Sequence, residues 1–82
     1  MANTITVYTT ATCGYCHMLK NYLNENKIKF TEKRVDLDQA AAQEMVAKSG
    51  QMGVPFTVVN KDGQERGILG FDVNSLKHAM LS

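Results

Sequence analysis

Two hydrophobic periods follow one another near the start of the chain, and their order limits the folds open to it. In residues 4–8, Ile5 and Val7 alternate with Thr4, Thr6 and Tyr8, the period of a strand. Further on, Tyr15, Met18, Leu19, Tyr22 and Leu23 recur as on one side of a helix, with Lys20, Asn21, Asn24 and Glu25 opposite. This helix is expected to begin near Cys13 or Gly14 and to give way over residues 24–27. Residues 28–37 carry Phe30, Val35 and Leu37 among charges and read as a second strand, although Ile28 and Phe30 differ in parity from Val35 and Leu37. A strand, a helix and a strand joined so closely predict a βαβ unit, with parallel strands and a right-handed crossover.

The remainder extends this unit. Asp38 is a fair N-cap for a helix over residues 39–49, with Ala42, Met45 and Val46 facing inward and Gly50 at the C-cap position. After a loop over residues 51–54 and the only proline, Pro55, comes the strand Phe56-Thr57-Val58-Val59-Asn60. The turn Lys61-Asp62-Gly63 and residues 64–69 complete a hairpin, so these two strands should be antiparallel neighbours. A last helix over residues 73–81 presents Val73, Leu76 and Met80 on one face, with Asp72 or Asn74 near its start. The order is βαβαββα, without internal repeat or linker.

Size and charge narrow the function. With 82 residues the chain reads as one domain, 1–82, that buries only about 60 to 65% of its unfolded surface. Nine Lys and Arg stand against eight Asp and Glu, scattered singly, which gives no counterion-release drive toward nucleic acid. No apolar run approaches the roughly 18 residues of a membrane span, and residues 1–4 lack the features of a signal peptide. The expected address is cytoplasmic, with no membrane partner.

Two cysteines, in Cys13-Gly14-Tyr15-Cys16, are too few for a stapled secreted scaffold, and a bridge between them closes too small a loop to stabilise the chain much. Their place at a helix start points to redox chemistry. Free N–H groups and partial positive charge at that end favour thiolate over thiol at Cys13, whose sulfur can accept from the N–H groups of Tyr15 and Cys16. Cys16 lies one turn deeper, nearer the core, and is the better resolving thiol. The Cys13 thiolate would attack a disulfide, and Cys16 would displace the product. Two buried small hydrophobes would not explain this placement. Zinc needs four ligands, and His17 and His78 supply no second pair at zinc spacing, so no metal site is expected in one chain. His17 reads as a solvent-facing helix residue.

Three other residue groups each have two readings. Tyr15 lies over the active-site edge or belongs to the apolar stripe with Met18 and Tyr22. Val54, extended before Pro55, can pair its backbone with a passing peptide, while the base rate makes the Val54-Pro55 bond trans. Gly70-Phe71-Asp72 is a turn glycine, a core ring and an N-cap, or a place where helix N–H groups hold a carboxylate and Asp72 meets an ammonium group.

Thr12-Cys13-Gly14-Tyr15-Cys16-His17, Gly53-Val54-Pro55 and Gly70-Phe71-Asp72, at these separations, resemble the glutaredoxin family of the thioredoxin superfamily over nearly the whole chain. The resemblance implies a thioredoxin-like α/β fold: a four-stranded mixed sheet flanked by three helices, with Pro55 in cis. It implies Cys13 as nucleophile, Cys16 as resolving cysteine, and Tyr15, Val54, Pro55, Gly70, Phe71 and Asp72 around glutathione. The activity implied is reduction of protein disulfides or glutathione mixed disulfides by a monomer, with glutathione as co-substrate and no required metal. Thr10 stands where many family members carry a basic residue, and Leu69-Gly70 and Val73 replace a usual glycine pair and second acid. Residues 49–55 and 70–72 resemble a bacterial glutaredoxin-like branch, and part of that neighbourhood resembles redoxins that take electrons from thioredoxin reductase and supply ribonucleotide reductase. Gly14, where proline is frequent, leaves a [2Fe-2S] carrier shared between two chains as another class.

Overall fold

A computed structural model describes residues 3–51, 53–61 and 63–81. The elements run β1 (Asn3–Thr9), α1 (Gly14–Glu25), β2 (Thr31–Arg34), α2 (Gln39–Ser49), β3 (Phe56–Lys61), β4 (Gln64–Leu69) and α3 (Val73–Leu81). The turn residue Asp62 and the expected inward side chain of Met80 lie outside the described residues. The order of strands across the sheet is β2-β1-β3-β4. β1 pairs with β2 in parallel, from Thr6 opposite Thr31 to Thr9 opposite Arg34, and antiparallel with β3, which pairs antiparallel with β4. The mixed four-stranded sheet with three helices, inferred from the glutaredoxin resemblance, is thus observed among the described residues.

Both faces of the sheet are covered. Val7, Val59 and Ile68 meet Leu19 and Leu23 of α1 and Leu76 of α3. On the other face Tyr8, Phe56 and Val58 meet Ala41 and Met45 of α2. Alternating β1 residues therefore enter different cores, and Tyr8, placed opposite Ile5 and Val7 by its period, is buried under α2 rather than solvated. Burial there pushes the Tyr8 hydroxyl pKa up, helped by Glu44, to which it donates a hydrogen bond.

Two-sided burial also explains the second strand, which is shorter than its expected span of residues 28–37. Ile28 and Phe30 pack on the α1 and α3 core, whereas Val35 packs on the α2 core. Past Val35 the chain turns: the N–H groups of Leu37 and Asp38 both reach Arg34 O, at 3.2 and 2.9 Å. Leu37 is left 77% exposed. In α1 the buried stripe is Cys16, Leu19 and Leu23, so Tyr15 and Met18 fall outside it at 65% and 49% exposed. In α2 Met45 is buried as expected, and Ala41 is buried in place of the expected Ala42 and Val46. The caps of α2 are as expected: Asp38 accepts from Ala41 N, and Gly50 ends the helix in the left-handed region at φ 75°.

Candidate active site

Topology brings the three sequence motifs to one end of the sheet. β1 runs toward the cysteine loop, and its last residues lie beside the start of β3, with Tyr8 opposite Phe56. Pro55 and Val54 immediately precede that point. β4 returns antiparallel, so Leu69, and with it Gly70-Phe71-Asp72, ends beside Phe56. Gly70 N donates to Pro55 O at 2.9 Å, joining the second and third motifs. Phe71 meets Tyr22 of α1 edge-on, with ring centres 6.1 Å apart. The Val54-Pro55 bond is cis, so the trans expectation from base rates gives way to the one the resemblance carried.

Cys13 occupies the N-cap of α1 with extended backbone, φ −89° and ψ 110°. Its Sγ accepts from Cys16 N at 3.1 Å. This is one of the two donors expected from the sequence. Cys13 is half-buried, while Cys16 is 0% exposed, and the pair is joined as a disulfide with Cα atoms 5.2 Å apart. Of the two cysteines, the one whose sulfur caps the helix is thus the less buried. No acidic side chain stands in the first turn of α1 to oppose negative charge there.

The surroundings separate the open readings. Tyr15 is 65% exposed, which excludes the buried-stripe reading. Asp72 is an N-cap: its Oδ1 accepts from Ser75 N at 3.1 Å and its Oδ2 from Ser75 Oγ at 2.9 Å. These bonds, the Ser75 N–H first, hold the Asp72 carboxyl below its ordinary pKa. The carboxylate stays exposed, so capping and contact with a bound cation are compatible. Among the described residues no three His, Cys, Asp or Glu side chains gather as a metal-holding group.

Sequence reasoning did not find Arg34 or Asp36, and it named Leu69 only as part of a replaced glycine pair. Leu69 is 57% exposed next to Gly70 and adds apolar surface at this end of the sheet. Asp36, just past the end of β2, accepts from the backbone N–H of Ala11, just past the end of the neighbouring β1, a contact for which the sequence carries no spacing signal.

A family model described as Glutaredoxin matches residues 5–63. Glutaredoxin 3 of Escherichia coli is 40% identical over 55 residues, covering 67% of this chain and 65% of that protein, so a little under two thirds of that relative's length is matched. A crystal structure of a thioredoxin-like protein superposes with a TM-score of 0.79 at 26% identity, covering 95% of each chain. The glutaredoxin-like protein NrdH-redoxin from Escherichia coli, described as having a thioredoxin-like activity profile, superposes with a TM-score of 0.77 at 25% identity over 92% of each chain.

Proposed function

The chain belongs to the glutaredoxin family, and from that premise we propose that it reduces protein disulfides or glutathione mixed disulfides, with Cys13 as nucleophile, Cys16 as resolving thiol and glutathione as electron donor. The observation that carries this reading is the half-buried Cys13 at the α1 N-cap, its sulfur bonded by Cys16 N–H, next to a fully buried Cys16. In the reduced protein the same N–H and the helix dipole favour the Cys13 thiolate.

The thiolate attacks one sulfur of a substrate disulfide, forming the Cys13 mixed disulfide while the other substrate sulfur leaves and takes a proton. Cys16 then gives up its proton and attacks the Cys13 sulfur, releasing the second substrate thiol. Two electrons have passed to the substrate, and the protein is left as the Cys13–Cys16 disulfide. Two glutathione molecules restore the dithiol and leave as glutathione disulfide. In this reading Tyr15, Val54, Pro55, Gly70, Phe71 and Asp72 receive the tripeptide: Val54 through its backbone, and Asp72 with the α3 start at the γ-glutamyl end.

A second reading has thioredoxin reductase as donor. It is favoured by the likeness to NrdH-redoxin and by the uncharged Thr10. Arg34, the cation tied to the same loop, is engaged bidentately by Asp36. Coupling NADPH to glutathione and glutathione reductase, or to thioredoxin reductase, separates the two. Sustained turnover only with the glutathione couple is the expected result; turnover only with thioredoxin reductase replaces the donor. Failure of both, with a brown dimeric product from anaerobic purification whose colour is lost in Cys13→Ser, would transfer the protein to the cluster-carrier class.

A further inference from the structure

The loop that delivers Cys13 to the helix has little packing to hold it. Ala11 and Thr12 are exposed and Thr10 is half-buried. Within it, Cys13 N bonds Thr10 O at 3.4 Å, which makes residues 10–13 a single turn with Ala11 at its corner. Both polar groups of the Ala11 backbone are taken by side chains from elsewhere. Ala11 N donates to Asp36 Oδ2 at 3.1 Å, and Ala11 O lies 3.3 Å from His17 Nε2, which donates in the tautomer protonated there. Asp36 is in turn gripped by Arg34, with Nε on Oδ1 at 2.9 Å and an Nη on Oδ2 at 2.7 Å. His17 is one turn beyond Cys13, whose carbonyl accepts from His17 N at 3.3 Å, so its ring spans the loop it fixes.

We infer that Asp36, held by Arg34, and His17 are positioning residues for Cys13: they clamp the Ala11 backbone from two sides and thereby keep the sulfur at the N-cap of α1. The inference rests on the reading of Cys13 as nucleophile and names what in this chain holds it in place. Surface ion pairs contribute little to global stability. The effect is therefore local, on the reactivity of one sulfur. Positioning and charge make opposite forecasts here. Removing a carboxylate near a thiolate favours ionisation if only charge matters, whereas loosening the turn weakens the bond from Cys16 N and disfavours it.

The test is the pH dependence of Cys13 alkylation by iodoacetamide in the reduced chain, with Cys16→Ser throughout so that one thiol reports. Asp36→Ala should slow the reaction at neutral pH by roughly three- to tenfold, the range of one lost hydrogen bond, with its midpoint moved toward that of an ordinary thiol. Asp36→Asn keeps an oxygen for Ala11 N and should recover most of the rate. His17→Phe should slow it in the same direction. Urea midpoints should stay close to that of the parent. A rate unchanged or raised in Asp36→Ala, or no recovery in Asp36→Asn, overturns the inference. An ordinary thiol midpoint in the parent sinks the proposed function itself, so the two failures are distinguishable.

Discussion

The starts of α1 and α2 have nearly the same geometry and opposite consequences. Each N-cap residue is extended, Cys13 at φ −89°, ψ 110° and Asp38 at φ −119°, ψ 104°. Each side chain accepts from the N–H three residues on, at 3.1 Å: Cys13 Sγ from Cys16 N, and Asp38 Oδ1 from Ala41 N. Neither helix has an acidic residue in its first turn. At α2 a carboxyl oxygen satisfies the donor and complements the dipole, and the result is stability. At α1 the acceptor is sulfur, a weak acceptor as a thiol and a strong one as a thiolate. In the function proposed above, the helix there favours ionisation of a group whose charge changes during reaction, so the same local structure would become chemistry.

The comparison can be broken most severely at Cys13. Cys13→Ser should reduce disulfide exchange to background while leaving the reduced protein as stable as the parent, because serine is a good N-cap. A large loss of stability in chemical denaturation would show that the sulfur serves structure rather than reaction. The converse exchange asks whether the cap alone makes the reactivity. Asp38→Cys should yield a thiol that alkylates at neutral pH up to about tenfold faster than an ordinary exposed cysteine, the effect of a shift of about one pKa unit. An ordinary rate would locate the cause in the turn before α1 instead.

Smaller effects sharpen the contrast. Asp38→Ala should cost about 1 kcal/mol in urea unfolding with unchanged exchange kinetics. Gly14 has open space where a Cβ would stand, so Gly14→Ala should stabilise the protein by about 0.4 to 1 kcal/mol without loss of activity. The weakest effect is in acid. Asp36 is pushed down to about 2, first by its bond from Arg34, and Asp72 is lowered by Ser75. Their contribution is present above the unfolded carboxyl value near 4 and is lost as pH falls through the folded values. The urea midpoint should therefore drop slightly between pH 5 and pH 2.5, and less so in Asp36→Asn; equal drops in both proteins would remove Asp36 from the explanation.

Local features were legible in the sequence where local physics decides them. The Cys13 and Asp38 caps, the Gly50 stop and the β3–β4 hairpin all depend on residues within a turn of one another. The length of β2 and the inward residues of α1 and α2 depend on what lies across the sheet. Parity failed at Ile28, Phe30 and Val35 because both sheet faces are buried, and Tyr15 left the helical stripe because Cys16, next to it, belongs to the core. At the site, the convergence of three motifs follows from antiparallel pairing of β3 with both its neighbours. The hold of Asp36 on Ala11 joins residues from different elements, and no period or motif announces it.

The account comes down to the charge on Cys13 in the reduced protein. Following thiolate absorbance near 240 nm against pH, with Cys16→Ser to leave one thiol, gives it directly. A midpoint well below the ordinary value of about 8.5 is the predicted result; a midpoint at that value would contradict it.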